Sequence, residues 1–511
     1  MGILGPKPPL CSVWKCRACS LWRAFSGAAR MTPARRSRLA WLHRWAGLVS
    51  GWAAFAIFLT GTLALFDTEL TRWMQPETAI TLDKTSLTST AIEHAQQILR
   101  DNERAGALPS FLLLPDARDP TLRVLHYDGH SFVGPVLAPH TGRPIPVRQT
   151  EGGNFFFNFH YTLHLPNPWG ERLVAMIAFA FAALVLSGVL LHLKRLVPDY
   201  FTLRLKAALP RSLLDLHVLT GSAMLPFHIM ITWSGLILTA ENALPVLQLE
   251  QEPPTQTEAP QQSSTHWAPQ ASLVVMLQQA QAHLGSMPSY VLFDDGKTTF
   301  SAIQHDSLNA NDLSAEFDSQ TGEFLSQSKE PSPIENAFYT LNGLHLARSM
   351  GLLLRWLWFA GGLASSIMVA SGLVYYTARQ KKQTTHAFGL ARRLNIALLG
   401  GLITACLSFF VLNRLIPVQW QARAALEVAG FFGVWASCLL LVMIIPIRKS
   451  ARIIAWTTGL IGLALPVIDG LTVPLQAWGS MLHLTVNGMF LLTGLSAMGS
   501  LRFLPVWRSH D

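Results

Sequence analysis

Charge and cysteine are both scarce in this chain. Only 14% of the 511 residues are charged, against about 25% in an ordinary soluble protein. Half of the residues are hydrophobic, and they gather in long uncharged blocks, which excludes a purely soluble globular chain. The five cysteines are Cys11, Cys16 and Cys19 in the N-terminal tail and Cys406 and Cys438 in apolar blocks. The polar stretches between blocks have none, so there is no disulfide framework to read. Cys11, Cys16 and Cys19 loosely follow a metal-ligand spacing but lack the second half of any zinc pattern. The chain also lacks a phosphate-binding glycine loop, a dinucleotide fingerprint and a paired-histidine protease motif. Binding of soluble NADH or flavin is therefore not expected. Nor is nucleic acid: the formal charge of +9 comes from short clusters between apolar blocks, not from a continuous basic face.

What is present is a set of blocks long enough to cross a bilayer, which takes about 20 apolar residues. Eight spans are expected. The first four run from Leu42 to Phe66, Leu173 to Leu193, Leu216 to Ala240 and Leu354 to Thr377. The last four run from Leu394 to Leu412, Leu426 to Ile445, Ile453 to Ile468 and Met481 to Leu501. Lys and Arg cluster in alternate connections: Arg35, Arg36 and Arg38; Lys194, Arg195, Arg204, Lys206 and Arg211; Arg379, Lys381, Lys382, Arg392 and Arg393; Arg448, Lys449 and Arg452. The positive-inside rule puts these connections and both termini in the cytoplasm of a bacterial inner membrane. Two long polar segments, about 67–170 and 241–350, then lie outside. Each opens on a helix-like stretch (Leu87–Asn102, Leu273–Leu284) and continues as strand-like pieces with turns at Asp128-Gly129 and Asp295-Gly296. Glu250–Pro269 reads as a linker. Residues 1–39 form a basic cytoplasmic tail in which Met31 is an alternative start, and Asp469 is expected at a helix end beside Gly470.

The most informative feature is an internal repeat. Leu42-His43 opens the first span and Leu216-His217 the third. Gly47 and Gly221, then Gly61 and Gly235, follow at the same spacing, so all three pairs differ by 174. Further on, Pro109-Ser110-Phe111 matches Pro288-Ser289-Tyr290, Thr141-Gly142 matches Thr321-Gly322, and Leu163-His164-Leu165 matches Leu344-His345-Leu346. Residues 40–195 and 214–379 thus read as two copies of one helix, outer domain, helix unit, inserted in parallel. Residues 393–503 form a four-helix extension outside the repeat. His43 and His217 become symmetry mates near the inner face, and His164 and His345 near the outer face.

At these residues the chain resembles a known family. LHRWAGLVSGWAAFAIFLTGTLALF is similar to the first helix of PepSY-associated transmembrane proteins, often called iron-regulated membrane proteins. LDLHVLTGSAMLPFHIMITWSGLIL resembles their second such helix. The resemblance covers about residues 38–385. It implies an α-helical polytopic membrane protein with two small α+β PepSY-like periplasmic domains. It also implies a membrane oxidoreductase with two b-type haems that takes electrons from a quinone or cytoplasmic donor and reduces a ferric siderophore or ferric iron.

On that resemblance the histidines become candidate axial ligands of haem iron, His43 with His217 and His164 with His345. His228 lies eleven residues after His217, nearly on the same helix face and roughly 16 Å along the axis. Its repeat position is Ala54, and Pro226 before it opens the helix. His192 and, more weakly, His483 are further candidates, and His160 could stand in for His164. Arg172 and Arg355 are candidate partners for haem propionates. For each histidine the plainer reading is an interfacial polar residue or a helix–helix hydrogen bond. One tension stands out: His164 and His192 are 28 residues apart, about 42 Å of helix, which is long for direct transfer between two haems. Two other functions remain open: a non-enzymatic protein whose outer domains bind or regulate a partner, and a transporter or accessory permease for iron chelates.

Overall fold

The computed structural model describes residues 32–79, 87–127, 132–192, 202–204, 206–243, 267–294, 296–304, 306–379 and 386–502. The tail cysteines, Met31, most of the expected linker, the Asp128-Gly129 turn, Asp295, and the pairs Lys194-Arg195 and Lys381-Lys382 lie outside the described residues.

Most of the chain is helical. Among the described residues seven helices are long and apolar enough to cross a membrane, and one bent pair is so when its two helices are taken together. The long helices are α1 (Pro33–Ala64), α5 (Trp169–His192), α10 (Leu352–Arg379), α12 (Gly401–Leu415, continued from α11, His386–Asn395), α13 (Arg423–Ile444), α14 (Ile447–Thr472) and α15 (Met481–Ser500). The bent pair is α6 (Leu209–Ala223) and α7 (Leu225–Ala243), inclined by 66° at Met224. Pro226 explains the break, because it offers no N–H to the preceding turn and crowds it. Helix α10 packs along both α1 and α6, and α5 packs along α1 and α7. Between α14 and α15 a Cβ on Gly462 would stand 2.8 Å from the Gly494 backbone, so this crossing depends on two residues without side chains.

The polar segments hold α2 (Asp67–Met74), α3 (Ser89–Arg104), α4 (Asn154–Thr162), α8 (Leu273–Leu284), α9 (Pro333–Leu346) and nine strands. The first segment supplies β1 (Ser110–Leu113), β2 (Leu122–Tyr127), β3 (Phe132–Val133), β4 (Val136–Leu137) and β5 (Pro144–Ile145). The second supplies β6 (Tyr290–Asp294), β7 (Lys297–Ala302), β8 (Leu313–Asp318) and β9 (Phe324–Gln327). Two small α+β domains were expected, with the pairing of their strands left open. The strands form one antiparallel sheet in the order β5-β4-β2-β1-β6-β7-β8-β9, with β3 on β2. The join is β1 on β6, with Phe111 opposite Leu292 and Leu113 opposite Tyr290. The reason is that each half would otherwise leave a central strand edge unpaired, and pairing the two edges removes that liability. The alternating burial of β6 and β8 fits a sheet with one covered face. Ile92, Ala95 and Leu99 of α3 and Met276 and Ala280 of α8 share a single core with Leu112, Val124, Val291, Phe300 and Phe317.

The C-terminal helices attach to the rest through aromatic and ionic contacts. Asp469 lies at a helix end as expected, in the last turn of α14, but it is helical and fully buried there, not in a loop. There it accepts from Arg414 Nε at 2.8 Å, from Asn487 at 2.8 Å, and meets His483 Nδ1 at 2.9 Å. Arg414 lies over the Trp73 ring of α2 at 3.7 Å. His483 is thus engaged by a carboxylate. Removing one member of such a pair strands a buried charge, which costs about 3–5 kcal/mol. The Asp469→Ala protein should therefore melt well below the parent in detergent, whereas Thr485→Ala, on the exposed side of α15, should not.

Candidate functional site

Helix α1 contributes to two positions eighteen residues apart. That is five full turns, so His43 and Gly61 face the same way at a separation of about 27 Å. Near one end of the membrane bundle the His43 and His217 rings lie 6.3 Å apart between centroids, at 71°. His43 Nδ1 is 2.8 Å from Ser187 Oγ, and His217 Nδ1 is 2.8 Å from the Met368 carbonyl. Each ring also lies against a glycine of a second helix. A Cβ on Gly188 would come within 3.3 Å of the His43 ring, and one on Gly372 within 2.9 Å of the His217 ring. His192 is within electrostatic reach of both histidines.

At the sheet end, the ring that faces His345 belongs to His160, not His164, with centroids 6.1 Å apart. His160 Nδ1 is 2.8 Å from the Ile57 carbonyl, and His345 Nδ1 is 3.0 Å from Ser234 Oγ. Again each lies on a glycine: Gly61 under His160 and Gly235 under His345. The expected pairing of His164 with His345 is corrected by helix geometry. His160 is in the last turn of α4, and His345 in the last turn of α9. His164 comes after the left-handed cap Leu163, has φ +57° itself, and turns to Phe155 and Phe432. A match of Leu-His-Leu strings aligned letters that sit on opposite sides of a helix end. The recoverable signal was helical position, because only His160 shares a continuous helix with the preceding aromatic run.

Among the described residues, none of these four histidines makes a hydrogen bond through Nε2. The Ile57 and Met368 carbonyls can only accept, so Nδ1 of His160 and His217 is the protonated nitrogen. The Ser187 and Ser234 hydroxyls already donate to the Leu184 and Met230 carbonyls and so accept from His43 and His345, which leaves Nε2 of each ring for a metal. Between His160 and His345 lies a cavity of about 80 Å³. Its walls are mostly apolar, with Phe58, Phe157, Phe227 and Trp358, and its charged members are Asp67 and Arg348.

The remaining candidates fall elsewhere. His228 is buried in the first turn of α7, with Nε2 2.9 Å from Ser365 Oγ and its ring among Phe58, Phe181 and Phe227. It faces no second histidine ring. Arg172 lies over Trp169, and Arg355 donates to Glu69 at 2.6 Å beneath Phe66. Neither lines the cavity. Arg348 does, and it went unnoticed in the sequence because its repeat position carries no arginine.

Close to the cavity, α2 ties the sheet to the membrane helices. Arg118 donates to Asp67 at 3.0 Å and to Glu69 at 2.8 Å. Burial opposes the charge on Glu69, but the Arg118 and then the Arg355 guanidinium override it and hold its carboxyl below the usual range. A carboxyl lowered in the folded state contributes stability above its unfolded value, about 4.3, and that stability is lost as pH falls through the folded value. Melting temperature should therefore fall from about pH 4.3 downward, and Glu69→Gln should flatten that part of the profile while lowering stability at pH 7.

The family model described as the PepSY-associated TM region matches residues 40–379, more than half of the chain. The chain belongs to this family. No curated protein matches the sequence. The PepSY-associated region begins just before His43 and ends at the last residue of α10. It encloses all four facing histidines and leaves α11 to α15 outside.

Proposed function

We propose that this PepSY-associated protein is a membrane oxidoreductase carrying two b-type haems. His43 and His217 hold one, His160 and His345 the other, and electrons pass to a ferric siderophore or ferric iron on the sheet side. One observation carries the reading: the same arrangement of two imidazoles occurs twice. A metal held between two imidazole nitrogens at about 2 Å each would leave the ring centroids roughly 6 Å apart, and the pairs stand at 6.3 and 6.1 Å. Four anchored Nδ1 atoms, four Nε2 atoms without a hydrogen bond among the described residues, and four glycines that make room for the rings are a donor set suited to two haems. The cavity of about 80 Å³ is smaller than a porphyrin, so its aromatic walls must open to admit one.

When bound, haem supplies one-electron chemistry whose potential follows from ligand identity and burial. The chain's own residues do the rest. Ser187, Met368, Ile57 and Ser234 orient the imidazoles. Phe58, Phe157, Phe227 and Trp358 keep water away. Arg348 offers a cation at the cavity for an acidic edge, the role first given to Arg172 and Arg355. With His160 in place of His164, about 27 Å of α1 separates the two levels, in place of the 42 Å that made the first pairing awkward. Matched contacts support the duplication of residues 40–195 and 214–379: His43 on Gly188 with His217 on Gly372, and His160 on Gly61 with His345 on Gly235. We further read the two halves of the sheet as PepSY-like periplasmic domains. The arginine-rich connections and both termini are assigned to the cytoplasm, the membrane is a bacterial inner membrane, and the donor is a quinone or a cytoplasmic reductant.

The test is an optical spectrum of detergent-purified protein, air-oxidised and then dithionite-reduced. Sharp reduced bands with two haems per chain by pyridine haemochrome, reoxidised by a ferric chelate, are the expected result. Folded protein expressed with ample haem and showing a flat spectrum would sink the reading and favour partner binding by the sheet.

A further inference from the structure

We propose that, of the two sheet-side histidines, the four C-terminal helices position His160 and not its facing partner His345. The inference rests on the haem reading above. Helix α4 has nine residues, too few to be stable alone, so its orientation depends on packing. Its buried face meets the extension. Phe155 stacks on Phe409 at 4.7 Å and meets Phe431 at 4.8 Å, Phe156 stacks on Phe410 at 5.6 Å, and Phe159 stacks on Phe432 at 6.0 Å. His160 is the next residue and points the other way, onto Gly61.

A second set of contacts fixes the start of the same helix. Thr150 donates to Glu427 of α13 at 2.5 Å, and the Gly153 amide donates to Thr71 of α2 at 2.9 Å. Helix α2 is itself held by Arg414 of α12 over Trp73. Among the described residues, helix α9, which carries His345, has no such cover. Gly343 is its one buried residue, and Ile334 and Phe338 are 83% and 43% exposed. It is held locally, by the Ser332–Glu335 capping box and by Trp358 Nε1 donating to the Leu344 carbonyl at 2.7 Å. The two outer ligands are therefore supported by different means, and only one depends on the extension.

The experiment is a redox titration of the full chain followed optically. His160→Ala identifies the transition that belongs to the sheet-side haem. Phe409→Ala should shift that transition and give it high-spin character, leave the other unchanged, and be rescued by Phe409→Leu. If Phe409→Ala does not fold, Thr150→Val, which removes the Glu427 contact, should show the same selective shift. Two unmoved transitions in a folded variant overturn the inference while the haem reading stands, as does an equal shift of both. Wild-type protein without haem overturns both.

Discussion

His217→Ala should cut haem content from two per chain to one and abolish electron passage across the membrane, while leaving the chain folded. An alanine leaves His43 without a facing imidazole, and a single histidine at this depth cannot supply both axial positions. Among the described residues the ring that faces His43 is that of His217; His192 sits at the very end of α5, and His228 turns its Nε2 to Ser365. The structural cost is modest, since His217 donates one hydrogen bond to a carbonyl, worth about 1 kcal/mol. Pyridine haemochrome and size-exclusion chromatography on the same sample separate the outcomes. Full haem content in folded His217→Ala protein would remove His217 from the ligand set. His228→Ala is the informative companion, because it should keep both haems. It packs against Phe58 and Phe181 but faces no partner ring.

These expectations also show where the sequence was readable. The spans were legible because bilayer thickness sets their length and lipid tolerates no charge, so composition alone marks them. The inner pair was legible because His43 and His217 each stand four residues before a glycine within one unbroken stretch of helix, where sequence offset is spatial offset; the bend at Met224 comes only after Gly221. The sheet-side pair was half legible. His345 was found and His160 was named as a stand-in, but His164 was taken for the mate from the matching Leu-His-Leu string, whereas α4 ends at Thr162 and the chain then turns through two left-handed residues, Leu163 and His164. Past a helix end, equal spacing no longer means equal direction. The joined sheet could not be foreseen either. Strand pattern reports which face of a strand is covered, not which edge it pairs. The role of Asp469 was missed for a related reason: beside Gly470 it looks like a terminus, and only its neighbours Arg414, His483 and Asn487 make its burial tolerable.

The glycines beside the rings give the second large effect, and they allow a contrast within one helix. On Gly61 a new Cβ would stand 2.5 Å from His160 Nδ1, far inside contact distance. The ring cannot easily yield, because its Nδ1 is held by the Ile57 carbonyl one turn away and α4 is pinned from behind by Phe409 and Phe431. On Gly47, four residues after His43 on the same helix, the nearest atom would be Leu184 Cδ2 at 3.8 Å, an ordinary contact. Replacing a helical glycine by alanine otherwise stabilises by up to about 1 kcal/mol. Gly47→Ala should thus raise the melting temperature slightly and keep both haems. Gly61→Ala should displace His160 and lose the sheet-side haem, with total haem falling to about half. The same direction is expected for Gly235→Ala, where the His345 ring would be 2.7 Å away. Gly61→Ala protein that retains two haems with unaltered redox transitions would mean that His160 does not ligate where we place it. Loss of haem in Gly47→Ala would mean that the glycines of α1 serve general packing, not clearance for the rings.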